Sequence, residues 1–437
     1  MTGAVGVTAL DRANRESLSD AASAPLASKA AAHSPACKKR LGLPPTMSPD
    51  TPPNASAPAD TQALYIHWPF CVSKCPYCDF NSHVRESVDV AAWRSALLAD
   101  MAHEAGLTAG RPLSSIFFGG GTPSLMPPAL VADLIAAAQD HWGFTPDMEI
   151  TLEANPNSVE AARFGDLAAA GINRVSLGLQ ALDGEALHFL GRAHDVAEGL
   201  AALDTAQRLF ARVSFDLIYA RPGQREADWE KELAQALSFG TGHLSLYQLT
   251  IEPGTRFATL VAQGKLTPAD PDHGATLYEL TAAMTGAAGI PAYEISNHAR
   301  AGQASRHNLT YWRYGDYMGV GPGAHGRRGG MATMRHKKPE NWIGAVTRNG
   351  HGLQSEDILS GEDRAREALL MGLRLGEGVD LSRIAALSGI GAARLVDERA
   401  IDQLTDLGLI RLTGSRLQVA PAGMLLLDAI LPEVVAV

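Results

Sequence analysis

From Leu64 onward the chain alternates short apolar runs with longer stretches whose apolar residues recur every three or four positions. The short runs cover 64–67, 115–118, 148–153, 174–178, 212–218, 243–248 and 291–296, and they read as strands. The longer stretches cover 90–104, 128–142, 158–170, 196–209, 226–237 and 272–288, and they read as helices. Pro128 at a helix start and Gly171 after a helix end fit the usual asymmetry of these residues. Strands alternating with helices imply an α/β fold with a parallel sheet and right-handed crossovers. About six such units predict a full or partial barrel, with a doubly wound sheet as the other arrangement. Either one gathers its chemistry at the C-terminal ends of the strands.

The rhythm breaks after Ser296 into Gly-, His- and aromatic-rich sequence. A second pattern starts near Gly361: helices over 362–373, 381–387 and 392–407, then runs at 409–412 and 417–420 around Gly414-Ser415. Helix–helix–hairpin is a winged-helix outline, and its mixed charges favour a docking role over DNA reading. Residues 1–60 are rich in Ala, Ser, Pro and Thr and predict a disordered extension. Met47 within it is an alternative start, and Cys37 reads as an unpaired thiol. The expected division is 1–60 extension, 61–300 core, 301–360 connecting region and 361–437 C-terminal domain.

A net charge of −10 argues against nucleic acid held by a positive field. No apolar run approaches the length of a membrane span. Three of the four cysteines, Cys71, Cys75 and Cys78, lie together directly after the first strand. A disulfide framework would disperse them, so metal ligation in a reducing, cytoplasmic setting fits better. Three thiolates suit an iron–sulfur cluster with one iron left open. A zinc site completed by His67 or His83 is the competing reading, and it would make the chain a zinc-bearing binding module.

The stretch from Tyr65 to Phe80, with Cys71-x-x-x-Cys75-x-x-Cys78, resembles the cluster loop of the radical S-adenosylmethionine (radical SAM) superfamily. More narrowly it resembles the HemN/HemW branch, from Leu64 to the C-terminus. The resemblance implies a radical SAM partial (β/α)6 barrel followed by a mainly helical, winged-helix-like domain. It also implies a [4Fe–4S] cluster on the three cysteines with S-adenosylmethionine on the open iron. The cluster would supply one electron to the sulfonium of S-adenosylmethionine.

Further motifs carry the resemblance. Gly119-Gly120-Gly121-Thr122-Pro123 follows a strand, and its glycines let the backbone approach a ligand closely. Alone it would read as a tight turn. Glu153, Gln180, Arg192 and Asp216 lie at or near successive strand ends. The family implies S-adenosylmethionine contacts from Tyr65, Gly120, Gly121, Thr122, Glu153, Gln180, Arg192 and Asp216, divided between one or two molecules. Tyr77 and Gln248 are weaker candidates.

Two features separate the branches. The oxygen-independent coproporphyrinogen oxidases resemble a motif with a fourth cysteine two positions beyond the third, where this chain has Phe80. His307-Asn308-Leu309-Thr310-Tyr311-Trp312 matches the HNxxYW segment of the haem-chaperone relatives. That side of the family implies haem as cargo, haem-accepting proteins such as respiratory enzymes, and an electron donor. Peripheral membrane association and a dimer stay open, and oxidase activity is the alternative. His307, Tyr311 and Trp312 are candidate haem residues, since His ligates haem iron and aromatic rings stack on porphyrin. The same segment reads equally well as a buried, hydrogen-bonded corner. His325 and His298 are lower-ranked ligands.

Overall fold

The structure is a computed structural model that describes residues 61–437. The expected extension 1–60, with Cys37 and Met47, lies outside the described residues.

Six parallel strands form the centre of the sheet: β1 (Gln62–Trp68), β2 (Leu113–Gly120), β3 (Phe144–Ala154), β4 (Arg174–Gln180), β5 (Arg212–Tyr219) and β6 (His243–Gln248). Helices Val90–Thr108, Pro128–Trp142, Val196–Leu209 and Glu226–Ser238 make four of the crossovers. Local chemistry starts them. Asp195 and Glu198 form a capping box for one helix, and Pro128 opens another. Along β1, Leu64, Ile66 and Trp68 pack under the helices, whereas Tyr65 packs with Phe117 and Ala324 on the opposite face. This is the partial (β/α)6 barrel expected from the sequence, with an interior that is largely polar. Arg174, fully buried, reaches Thr151 Oγ1 at 3.2 Å and Ser214 Oγ at 3.0 Å across three strands.

Both sides of the sheet extend further. β7 (Asn297–Ala299) runs antiparallel to β6. The strand expected over 291–296 is instead a turn. The Glu294 carboxylate accepts from Ser296 N and Asn297 Nδ2 and folds the segment back. On the other side, β8 (Tyr317–Val320) pairs in parallel with β1. β9 (His325–Arg328), β10 (Met331–Arg335) and β11 (Leu353–Ile358) follow it antiparallel, for eleven strands in all. These four strands are absent from the pattern expected over 301–360, because they are short and interrupted by Gly and Pro. Two expected helices are also broken. The stretch 158–170 divides where the Arg163 guanidinium turns to the carbonyls of Ser124, Leu125 and Met126. The stretch 392–407 divides where Asp397 caps a new helix, Glu398–Asp406.

A buried ion network seats the added strands. Arg335, fully buried, donates to Asp100 at 2.7 Å and to Glu104 at 2.9 Å. Arg328 also donates to Glu104 at 2.7 Å. Asp100 accepts from Trp342 Nε1, Gly321 N and Gly352 N as well. Such a network is stable only when every charge is paired, and this one ties the helix Val90–Thr108 to β9 and β10.

The C-terminal domain holds helices Gly361–Gly372, Leu381–Ser388, Glu398–Asp406 and Leu427–Val434. Its small sheet joins β12 (Val379–Asp380) to the hairpin of β13 (Ile410–Thr413) and β14 (Arg416–Val419). Arg313 and Glu377 clamp it to the barrel through two bonds of 2.7 and 2.8 Å.

Candidate functional site

The C-terminal ends of the parallel strands open onto a cavity of about 380 Å³. Cys71, Cys75 and Cys78 line it, together with Gly120, Gly121, Thr122, Glu153, Gln180, Arg192 and Asp216. Residues up to 145 positions apart in sequence, from Cys71 to Asp216, thus meet at one site because parallel strands end on one side.

The cysteine loop is held from several directions. Phe70–Cys71 pairs with His83–Val84 and closes its base. Pro76 presses on Gly191, where a Cβ would come within 2.6 Å of the proline ring. Tyr77 is buried against Leu187, Leu190, Ile218 and Phe257, so it anchors the loop and does not line the cavity. Asn81 Nδ2 donates to the carbonyls of Pro322 and Lys337, each at 2.9 Å.

Each sulfur has a polar neighbour. Thr122 Oγ1 donates to Cys71 Sγ at 3.5 Å, and Arg192 Nη1 donates to Cys75 Sγ at 3.5 Å. Ser82 Oγ lies 3.9 Å from Cys78 Sγ. Burial pushes the Cys71 thiol up despite the Thr122 hydroxyl, and it pushes the Cys78 thiol up to about 11. Half-buried sulfurs with donors already aimed at them suit thiolates that bind a cationic centre. Both nitrogens of His67 are engaged, with Tyr65 OH at 2.9 Å and Asn81 O at 3.0 Å. His83 Nε2 lies 3.2 Å from Asn81 Oδ1. These contacts fit a cluster held by three cysteines better than a zinc ion closed by histidine.

The glycine turn is built for close approach. A Cβ at Gly121 would meet Phe70 O at 2.6 Å, and one at Gly120 would meet His67 Cε1 at 2.6 Å. Gly120 also has φ 117°, and its N–H donates to Glu153 Oε2 at 3.2 Å. Gln180 has φ 70°, a left-handed conformation that a non-glycine residue holds only when its surroundings impose it. Arg192 is half-buried, and its Nε, itself shielded from solvent, has no hydrogen-bond partner among the described residues. The Asp216 carboxylate accepts from Ser176 Oγ at 3.3 Å.

Other candidates lie elsewhere. Tyr65 is buried beside the glycine turn, outside the cavity lining. Gln248 is committed to Gly274 O at 2.8 Å. His298 is buried on β7. His325 lies on β9, outside the lining. The His307 segment is not an exposed ligand loop. His307 is 0% exposed, with Nδ1 3.0 Å from Ser115 Oγ and Nε2 2.6 Å from Tyr311 OH. Burial, with Arg174 nearby, holds it neutral, with a pKa near 3. Tyr311 packs edge-on against Tyr317, and Trp312 packs against the C-terminal core. Of the two sequence readings, the buried, hydrogen-bonded corner describes His307 and Tyr311, while Trp312 stays partly exposed.

Residues 65–236 match the radical SAM superfamily, and residues 359–426 match the HemN C-terminal domain. The chain is 42% identical to the Escherichia coli heme chaperone HemW, over 61% of this chain and 70% of that one. The chain belongs to the HemN/HemW branch of the radical SAM superfamily. A Mycobacterium tuberculosis heme chaperone HemW is 36% identical over 76% of this chain and 86% of its own. A bovine protein named radical S-adenosyl methionine domain-containing protein 1, mitochondrial, is 42% identical over 75% of this chain and 76% of its own. Among solved structures, E. coli coproporphyrinogen III oxidase (HemN) shares the fold, with a TM-score of 0.72, 24% identity, and coverage of 86% of this chain and 90% of that one.

Sequence reasoning missed Asn155 and Glu160. Both line the cavity, and Glu160 is buried and accepts from Ser124 Oγ, Asn155 N and Asn157 Nδ2. The Glu-Ala-Asn-Pro sequence around Asn155 carried a signal, since Asn before Pro at a strand end marks a turn at the side of the sheet where the site lies.

Proposed function

We propose that the chain is a haem chaperone that carries a [4Fe–4S] cluster on Cys71, Cys75 and Cys78 and S-adenosylmethionine in the adjoining cavity. It would act in the cytoplasm, take an electron from a reducing partner, and deliver haem to haem-requiring proteins such as respiratory enzymes. The observation that carries the cluster reading is the gathering of three sulfurs, each with a polar neighbour, at one open cavity. The chaperone reading is supported by the names of the bacterial relatives and by Phe80, which lines the cavity where the oxidase motif has a cysteine.

The residues divide the work by position. The cysteines would hold three irons, and Gly120, Gly121 and Thr122 would bring backbone against the methionine part of S-adenosylmethionine. Glu153, Gln180, Arg192 and Asp216 would fix the rest of that molecule. When bound, the cluster supplies the electron that cleaves the sulfonium bond, and the protein supplies placement and dryness.

Anaerobic purification followed by iron and sulfide analysis tests the cluster. About four irons with matching sulfide per chain is the expected result. One zinc without sulfide would overturn it. Haem titration followed by transfer to an apo haem protein tests the chaperone role. Protoporphyrinogen formed from coproporphyrinogen, S-adenosylmethionine and reductant would turn the assignment to the oxidase.

A further inference from the structure

Two of the three cysteine sulfurs are served by donors that share one support. Thr122 Oγ1 donates to Cys71 Sγ, and Arg192 Nη1 donates to Cys75 Sγ, both at 3.5 Å. Asn155 touches both donors. Its Nδ2 donates to Thr122 Oγ1 at 3.3 Å, and its Oδ1 accepts from Arg192 Nη2 at 2.6 Å. Arg192 Nη2 is shared with Gly178 O at 3.0 Å, which fixes the plane of the guanidinium.

Asn155 is itself held. Glu160 accepts from Asn155 N at 2.8 Å and from Asn155 Nδ2 at 3.3 Å. Glu160 also takes Ser124 Oγ and Asn157 Nδ2, which leaves its carboxylate little freedom to turn. The direction of donation is settled along the chain. With Nδ2 donating to Thr122 Oγ1, the threonine hydroxyl proton is left for Cys71 Sγ. With Oδ1 held by one Arg192 nitrogen, the other points its proton at Cys75 Sγ. Cys78 stands apart from this support, because its polar neighbour Ser82, which also bonds Cys71, belongs to the cysteine loop itself.

We infer that Asn155, oriented by Glu160, is a positioning residue that sets the reduction potential of the cluster by holding Thr122 and Arg192 on the sulfurs of Cys71 and Cys75. Hydrogen bonds and positive charge at cluster sulfurs stabilise the reduced, more negative form and raise its potential. This rests on the cluster assignment above. It gives Arg192 and Thr122 a task distinct from contact with S-adenosylmethionine.

The test is the EPR-monitored midpoint potential of the reconstituted full chain without S-adenosylmethionine. Asn155→Ala is expected to load the cluster and to lower its reduced-to-oxidised ratio at fixed potential by about tenfold, a shift of roughly 59 mV for one electron. Thr122→Val, which removes only the hydroxyl, should shift the midpoint the same way by less. Thr122→Ser should restore it. The double variant should match Asn155→Ala alone, because without the asparagine the threonine hydroxyl is no longer held on Cys71. A wild-type midpoint in cluster-loaded Asn155→Ala overturns the inference. If that variant does not load, a wild-type midpoint in Thr122→Val does so instead. A wild-type chain lacking sulfide removes the cluster assignment, and this inference with it.

Discussion

His307 Nε2 lies 2.6 Å from the Tyr311 hydroxyl, one helical turn further along the same short helix and wholly inside the barrel. The contact makes the segment a structural corner. His307→Ala leaves Tyr311 OH and Ser115 Oγ without their partner and opens a cavity, so it should cost about 2–4 kcal/mol. The measurement is the denaturant midpoint, read beside a haem titration. Haem stoichiometry per folded chain should not change. Lost haem binding at an unchanged midpoint would restore His307 as a ligand.

Acid should destabilise the barrel in a defined window. Burial holds His298 near 4 and His307 near 3, and burial with Arg174 holds His243 well below its ordinary value. Their stability contribution is complete above the unfolded pKa, about 6.5, and is lost as pH falls toward the folded values. Each contributes a slope of about 1.4 kcal/mol per pH unit between these limits. Unfolding midpoints at pH 7.5 and 5.5 on cluster-free protein check this, and a flat profile would contradict it.

Arg335→Ala should be among the most damaging changes in the described chain. It removes the arginine from the buried Asp100 carboxylate, which keeps only its neutral donors, and leaves Glu104 with Arg328 alone. Breaking such a network from one side costs about 3–5 kcal/mol. Thermal unfolding checks the loss. Adding Asp100→Asn to the variant should recover part of it, and no recovery would show that the damage lies in packing.

Gly121→Ala should disable the site while sparing the fold. The new Cβ lands 2.6 Å from Phe70 O, on backbone that cannot swing aside as a side chain can. The cysteine loop must shift, so iron loading and S-adenosylmethionine binding should fall at least tenfold with the far-ultraviolet circular dichroism unchanged. Wild-type loading would show that the loop has more slack than its contacts imply.

What was readable from the sequence was what is local. Three cysteines after a strand and three glycines after the next each carry their meaning within a few residues. The polar residues at strand ends were found because a parallel sheet places strand ends together. Asn155 was passed over because its role depends on Thr122 and Arg192, which are 33 and 37 residues away. The strands β8–β11 escaped because β8, which seats the other three, pairs with the distant β1, and because Gly321, Pro322 and Gly323 break the pattern after β8. The His307 segment left two readings because burial is a property of the folded chain, and no motif states it.

The seam between β1 and β8 also has a bearing on biosynthesis. The cysteine loop is made early, yet Asn81 closes it against Pro322 and Lys337, which lie 241 and 256 residues later. A ribosome exposes the three thiols long before the wall behind them exists, and contacts this distant in sequence form slowly. Iron and sulfide are therefore expected to enter the finished barrel and not the emerging chain. A chain truncated before β8 should hold no cluster although all three cysteines are present.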